Sequence, residues 1–218
     1  MKHAQKGFTL VEIAIVLVIV GLLLGGILKG QEMIIQAKVK NAISDFSGVS
    51  AAYFGYQDRY RATPGDDSKA DRWSGATNGD GNRVLTGYYN TTTATDETAL
   101  WWDHLRRSGF ISGSGTSQPS NAFNGVIGVQ TGNAGDGSTS PTITAAMGTY
   151  TGLIACSSNL PDKVAIALDV QMDDGTATTG AVRAQVQTSA GSPAIQSAAP
   201  SSSYQETGTN LYTLCRAF

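Results

Sequence analysis

Cysteine, histidine and charge are all scarce in this chain. Two cysteines among 218 residues exclude a disulfide-dense scaffold and any four-cysteine zinc site. Two histidines, His3 and His104, exclude histidine-rich metal chemistry. Charged residues make up 15 % of the chain, against roughly 25 % in ordinary soluble domains. A formal net charge of −2 removes any general electrostatic case for nucleic-acid binding. No serine or cysteine lies in a nucleophile motif, and no glycine-rich stretch has the P-loop or dinucleotide pattern. His104 adjoins Asp103, but neighbours on a helix point apart, so they form no acid/base pair. No catalytic constellation is left, and an enzyme is not expected.

What the chain does have is a split. Phe8 to Leu28 is almost unbroken apolar sequence, and the remainder is rich in Gly, Ser, Thr and Asn. As a helix rising about 1.5 Å per residue, the run is long enough to cross a hydrocarbon core of about 30 Å. Lys2 and Lys6 precede it, which by the positive-inside rule puts the N-terminus in the cytoplasm and the body outside. A secretory signal would have a shorter apolar region and a small-x-small cleavage site, and no Ala-x-Ala follows here. Glu12 lies inside the run. A carboxylate at the centre of a membrane helix costs on the order of 2.5–3.5 kcal/mol; near the interface it can instead reach water. Gly21, Gly25 and Gly26 read either as close helix packing or as the ordinary glycine content of membrane helices.

The segment Lys6-Gly7-Phe8-Thr9-Leu10-Val11-Glu12 resembles the cleavage and methylation motif of type IV pilins and of the pseudopilins of type II secretion. The resemblance runs from Lys6 to about Gln31. It implies that a prepilin peptidase cuts between Gly7 and Phe8 and methylates the new amine of Phe8. It also implies that Glu12 neutralises the terminal amine of a neighbouring subunit in a filament core. Elementary electrostatics agrees, since a buried carboxylate is tolerable when paired with a cation. Cleavage creates that cation and removes Lys2 and Lys6 with the leader.

Beyond Leu28, apolar residues recur every three or four positions through Ile35, Val39, Ala42, Phe46, Val49, Tyr53, Tyr56 and Tyr60. That spacing predicts an amphipathic continuation of one helix from about Thr9 to Tyr56, packed on a sheet. Pro64-Gly65 then turns the chain. Residues 65–115 read as loops, one short helix and a hairpin. The helix is capped by Thr95 and stopped by Gly109, and one tryptophan of Trp101-Trp102 is expected in the core and one at its rim. Asn78, Asp80 and Asn82 alternate like the start of a calcium loop, but Tyr89 holds the position where an EF-hand needs glutamate. The competing reading is an Asn-Gly/Asp-Gly turn. Calcium at these three residues is the only cofactor expectation.

From about Gly125 onward the pattern is strand and turn. Strands are expected over 126–130, 150–156, 180–186 and 211–215, with a helix over 160–172 that places Pro161 at its first position. Asp173-Asp174-Gly175 turns the chain and resembles a segment of larger pilin-like proteins. An exported body favours a bridge between Cys156 and Cys215. Such a bridge would resemble the C-terminal disulfide-bounded loop of type IV pilins, which most major pseudopilins lack.

The expected fold is therefore α+β and pilin-like, with a long N-terminal helix on an antiparallel sheet. Its expected divisions are a leader over 1–7, a membrane or filament-core helix over 8–28, an amphipathic half over 29–62 and an extracytoplasmic head over 63–218. The expected function is that of a structural filament subunit serving adhesion, motility or DNA uptake. A secretion pseudopilin is one alternative, and a filament-borne adhesin acting through head loops is another. The implied partners are other pilin subunits, prepilin peptidase and an inner-membrane assembly platform. The implied location is the inner membrane, then a periplasmic or extracellular filament.

Overall fold

The structure, a computed structural model, describes residues 9–132, 150, 152–187 and 203–218. The elements are α1 (Leu10–Tyr60), α2 (Glu97–Arg107), β1 (Ile127–Thr131), β2 (Leu153–Pro161), α3 (Asp162–Met172), β3 (Val182–Val186) and β4 (Leu211–Ala217), with a short 3-10 turn at Ala70–Arg72. The chain divides into two units at Lys38/Val39.

In the first unit, α1 is apolar on every side and exposed on every side, from Leu10 at 91 % to Leu28 at 67 %. No proline interrupts it, and its glycines cost little where backbone hydrogen bonding has no competition from water. The expectation of one membrane-length helix is met by length and composition.

In the second unit the same helix becomes one-sided. Val39, Ala42, Phe46, Val49, Ala52 and Tyr56 are buried and share a core with Val129, Ala155, Leu160, Val182, Ala184 and Leu214 of the sheet. Burying a large apolar side chain is worth about 1.5–3 kcal/mol, so Phe46→Ala would remove about 3–5 kcal/mol with the cavity included. Tyr53 is only half-buried, and Ala52 takes the inward place on that turn. At Gly55 a side chain would strike the Phe110 ring, which fixes how closely the segment after α2 approaches α1.

The four strands run in the order β1-β2-β4-β3, and every pairing is antiparallel. β2 extends past the expected end at Cys156, because its register with β4 shifts between Ser157 and Leu160 and then resumes at Leu160↔Tyr212 and Pro161↔Leu211. Asn159, at φ 59°, absorbs the extra residue, a conformation asparagine tolerates better than most. Pro161 therefore ends the strand and caps α3 from outside instead of opening the helix.

Helix α2 corrects a second expectation. Both Trp101 and Trp102 are fully buried, because α2 is enclosed all round from Glu97 to Leu105 and not on one face. No hairpin forms over residues 65–115.

Candidate functional site

The first site is the start of α1. Gly7 and Phe8 lie outside the described residues. Thr9 and Glu12 form a reciprocal cap: the Thr9 amide and hydroxyl donate to Glu12 Oε2 at 2.8 and 2.9 Å, and the Glu12 amide donates to Thr9 Oγ1 at 3.3 Å. This is the Thr-x-x-Glu capping box, which satisfies helix donors that would otherwise be orphaned. The carboxylate also faces the positive end of the helix dipole. Its other oxygen, Oε1, has no protein partner among the described residues. One carboxylate oxygen of Glu12 thus caps its own helix. The signal was in the sequence as Thr9-Leu10-Val11-Glu12 and is easily masked by the membrane reading of the same residues. A Cβ built at Gly21, Gly25 or Gly26 meets nothing. Packing within this chain therefore does not require these glycines, and any close-packing role belongs to a neighbouring helix.

The second site is the disulfide. Cys156 and Cys215 are bonded, directly opposite each other across β2 and β4, and fully buried beside Tyr89, Tyr150 and Ile154. A bridge in this position ties the two central strands of the sheet and closes the chain around α3 and β3.

The third site is a group of acids on the loops after α1. Asp66, Asp80 and Glu97 each offer an oxygen within 4.8 Å of the others. Asp66 is buried and accepts three successive amides, from Gly81 (2.6 Å), Asn82 (3.0 Å) and Arg83 (2.7 Å). Glu97 accepts the amides of Asp80 and Thr86 at 3.0 and 2.9 Å. Burial, with Asp80 and Glu97 nearby, pushes the Asp66 carboxyl up to about 6 against the pull of those amides. The calcium set expected at Asn78, Asp80 and Asn82 is arranged differently. Asn78 Oδ1 accepts the Asp71 amide, Asn82 Oδ1 accepts the Val84 amide, and Asp80 Oδ1 accepts the Asn82 amide. All three shape turns, and of them Asp80 faces the other carboxylates. Asp66 and Glu97 are far apart in sequence, so no spacing could have paired them.

These loops are held by buried polar anchors. Asp67 accepts the Tyr56 hydroxyl at 2.6 Å and both Arg72 guanidinium nitrogens at 2.7 and 3.2 Å. Burial pushes Asp67 up, but Arg72, Tyr56 and the Lys69 amide outweigh it and leave it below the usual range. His104 is fully buried. Its Nδ1 accepts the Gly65 amide at 2.8 Å, and Nε2 lies 2.8 Å from the Thr77 carbonyl. That geometry fixes the neutral tautomer with the proton on Nε2. Burial holds its pKa down. Gly65 sits at φ 82°, and a Cβ there would meet the Glu97 carbonyl, so glycine is required. Asp173 and Asp174 accept the Val182 and Thr176 amides, as a turn would have them.

A long apolar helix, amphipathic in its second half and joined to a four-stranded antiparallel sheet, defines the α+β architecture of pilin-like proteins. Residues 2–28 match the model of the prokaryotic N-terminal methylation motif, the signature of type IV pilins and pseudopilins. No curated protein and no solved structure matches the chain. The motif implies processing by prepilin peptidase and assembly into filaments, and with the apolar helix it supports membrane anchoring before assembly.

Proposed function

We propose that the chain is a structural subunit of a type IV pilus-like filament. The observation that carries this reading is the Gly7-Phe8-x-x-x-Glu12 motif at the head of a helix that exposes apolar residues on every side. Such a surface needs lipid or other helices around it. The precursor sits in the inner membrane with Lys2 and Lys6 on the cytoplasmic side. Prepilin peptidase cuts between Gly7 and Phe8 and methylates Phe8. The assembly platform then moves the helix from lipid into a helix bundle. There the Phe8 amine of one subunit meets Glu12 of another, a pairing that offsets the desolvation of both charges. The free Oε1 of Glu12 supports this role, because the carboxylate can accept the amine without releasing its own cap. The head then lies in the periplasm or outside the cell.

A pseudopilin of type II secretion would carry the same motif. The Cys156–Cys215 bridge favours the pilus reading. Purification of surface filaments tests it. The chain should be their subunit, and its presence only in a cell-bound secretion complex would overturn the reading.

A further inference from the structure

The head carries a groove of about 650 Å³ beside the end of α1. Its size falls within the range of small-molecule sites. Among the described residues, Arg61, Arg83, Asn124 and Asn159 are the non-glycine residues with left-handed backbone. Asparagine is a usual occupant of that conformation, and arginine is not. Both arginines line this one groove. Arg61 takes it as the residue that closes the C-terminus of α1, its amide donating to the Gln57 carbonyl at 2.9 Å. Arg83 takes it with its amide held by Asp66. For a residue other than glycine the conformation costs free energy.

Neither guanidinium is used to hold the fold. Arg83 makes no side-chain hydrogen bond or ion pair among the described residues. Arg61 has only a 3.5 Å contact with Asp58, both side chains more than 80 % exposed, and such pairs contribute little. The loop carrying Arg83 is rigid all the same, because Asp66 grips the amides of residues 81, 82 and 83. The wall between the arginines also holds the Asp66 carboxylate, whose oxygens are taken by those three amides, and it mixes apolar Leu85 and Leu153 with neutral polar groups. Gln57 donates to the Tyr53 hydroxyl at 2.6 Å, which leaves its own carbonyl oxygen as an acceptor. Ser68 adds an exposed hydroxyl.

The geometry points to a binding site for a carboxylate-bearing saccharide. Forked guanidinium donors suit a carboxylate, and the amide and hydroxyl wall suits ring hydroxyls. The site belongs to the head alone, so it does not depend on filament assembly.

The test is a ligand-observed NMR titration of the detergent-solubilised full chain with glucuronate, glucose and inorganic phosphate. Glucuronate should bind at least about tenfold more tightly than either of the others, the loss of one charge-assisted hydrogen bond. Arg61→Gln and Arg83→Gln should each weaken it by about tenfold or more, whereas Arg59→Gln, outside the groove, should leave it unchanged. Arg61→Gly and Arg83→Gly should raise the thermal midpoint by about 2–4 °C while losing binding. The proposal is overturned if glucose binds equally, if phosphate binds as tightly as glucuronate, or if nothing binds. Glycine variants that gain stability and keep binding would also overturn it.

Discussion

One helix obeys two opposite rules in this chain. From Leu10 to Lys38 it buries no residue, and from Val39 onward it buries six. The backbone is continuous, so the difference lies entirely in side chains. Up to Leu28 the helix is apolar all round and depends on what surrounds it. The part from Val39 keeps a stripe and depends on its own sheet. Exposed apolar surface would destabilise this second part, whereas the first part presents it throughout. Damage to the first half should stop processing or assembly and leave the head folded. Damage to the second should unfold the head and leave the processing site intact.

The largest effect is expected from Gly7→Arg, which should abolish cleavage. Precursor should accumulate in the membrane fraction with no filament and with head stability unchanged, as read by immunoblot and thermal unfolding. Glu12→Val comes next: membrane insertion should be normal while filament yield falls by an order of magnitude or more, because the incoming amine loses its counter-charge. On the head side, Trp102→Ala should cost about 3–5 kcal/mol in denaturant unfolding, with cleavage unaffected. Replacing both Cys156 and Cys215 by serine should cost about 2–4 kcal/mol, seen as a lower midpoint in the same assay.

The smallest effect is the shape of the pH profile. His104 is held neutral by burial, so its folded pKa lies below the unfolded 6.5. The unfolded chain takes up the proton first, and this term lowers stability as pH falls through that value. Protonated Nδ1 would also confront the Gly65 amide that it now accepts. Asp66 works in the opposite direction. Its folded carboxyl titrates at about 6 against 3.8 unfolded, so it adds stability as pH falls from about 6 toward 3.8. His104→Asn, which can keep an acceptor for Gly65, should gain stability between pH 6 and pH 5. Asp66→Asn should only lose it. Urea midpoints across this range check both signs.

The architecture was legible because its signals are local. A stripe of apolar residues every three or four positions marks α1, and alternating short runs mark the strands. The motif from Gly7 to Glu12 is contiguous and needs no fold to be seen. Other features depend on contacts between distant segments. The extension of β2 rests on one left-handed residue, Asn159, and on resumed pairing with β4. The burial of both Trp101 and Trp102 rests on elements closing around α2 from every side. The carboxylate group of Asp66, Asp80 and Glu97 is assembled by loop geometry, as is the groove between Arg61 and Arg83. The Thr9–Glu12 cap was readable as Thr-x-x-Glu, but a membrane run directs attention to the cost of the acid and away from its helical position.

The central claim is that the apolar half of α1 becomes functional through cleavage before Phe8. Mass spectrometry of the chain from purified filaments or membranes, with fragmentation of its N-terminal peptide, tests this most directly. The account predicts a mature chain beginning at Phe8 and heavier by one methyl group on its amine. A chain that keeps Met1 to Gly7, or begins at any residue other than Phe8, would contradict it.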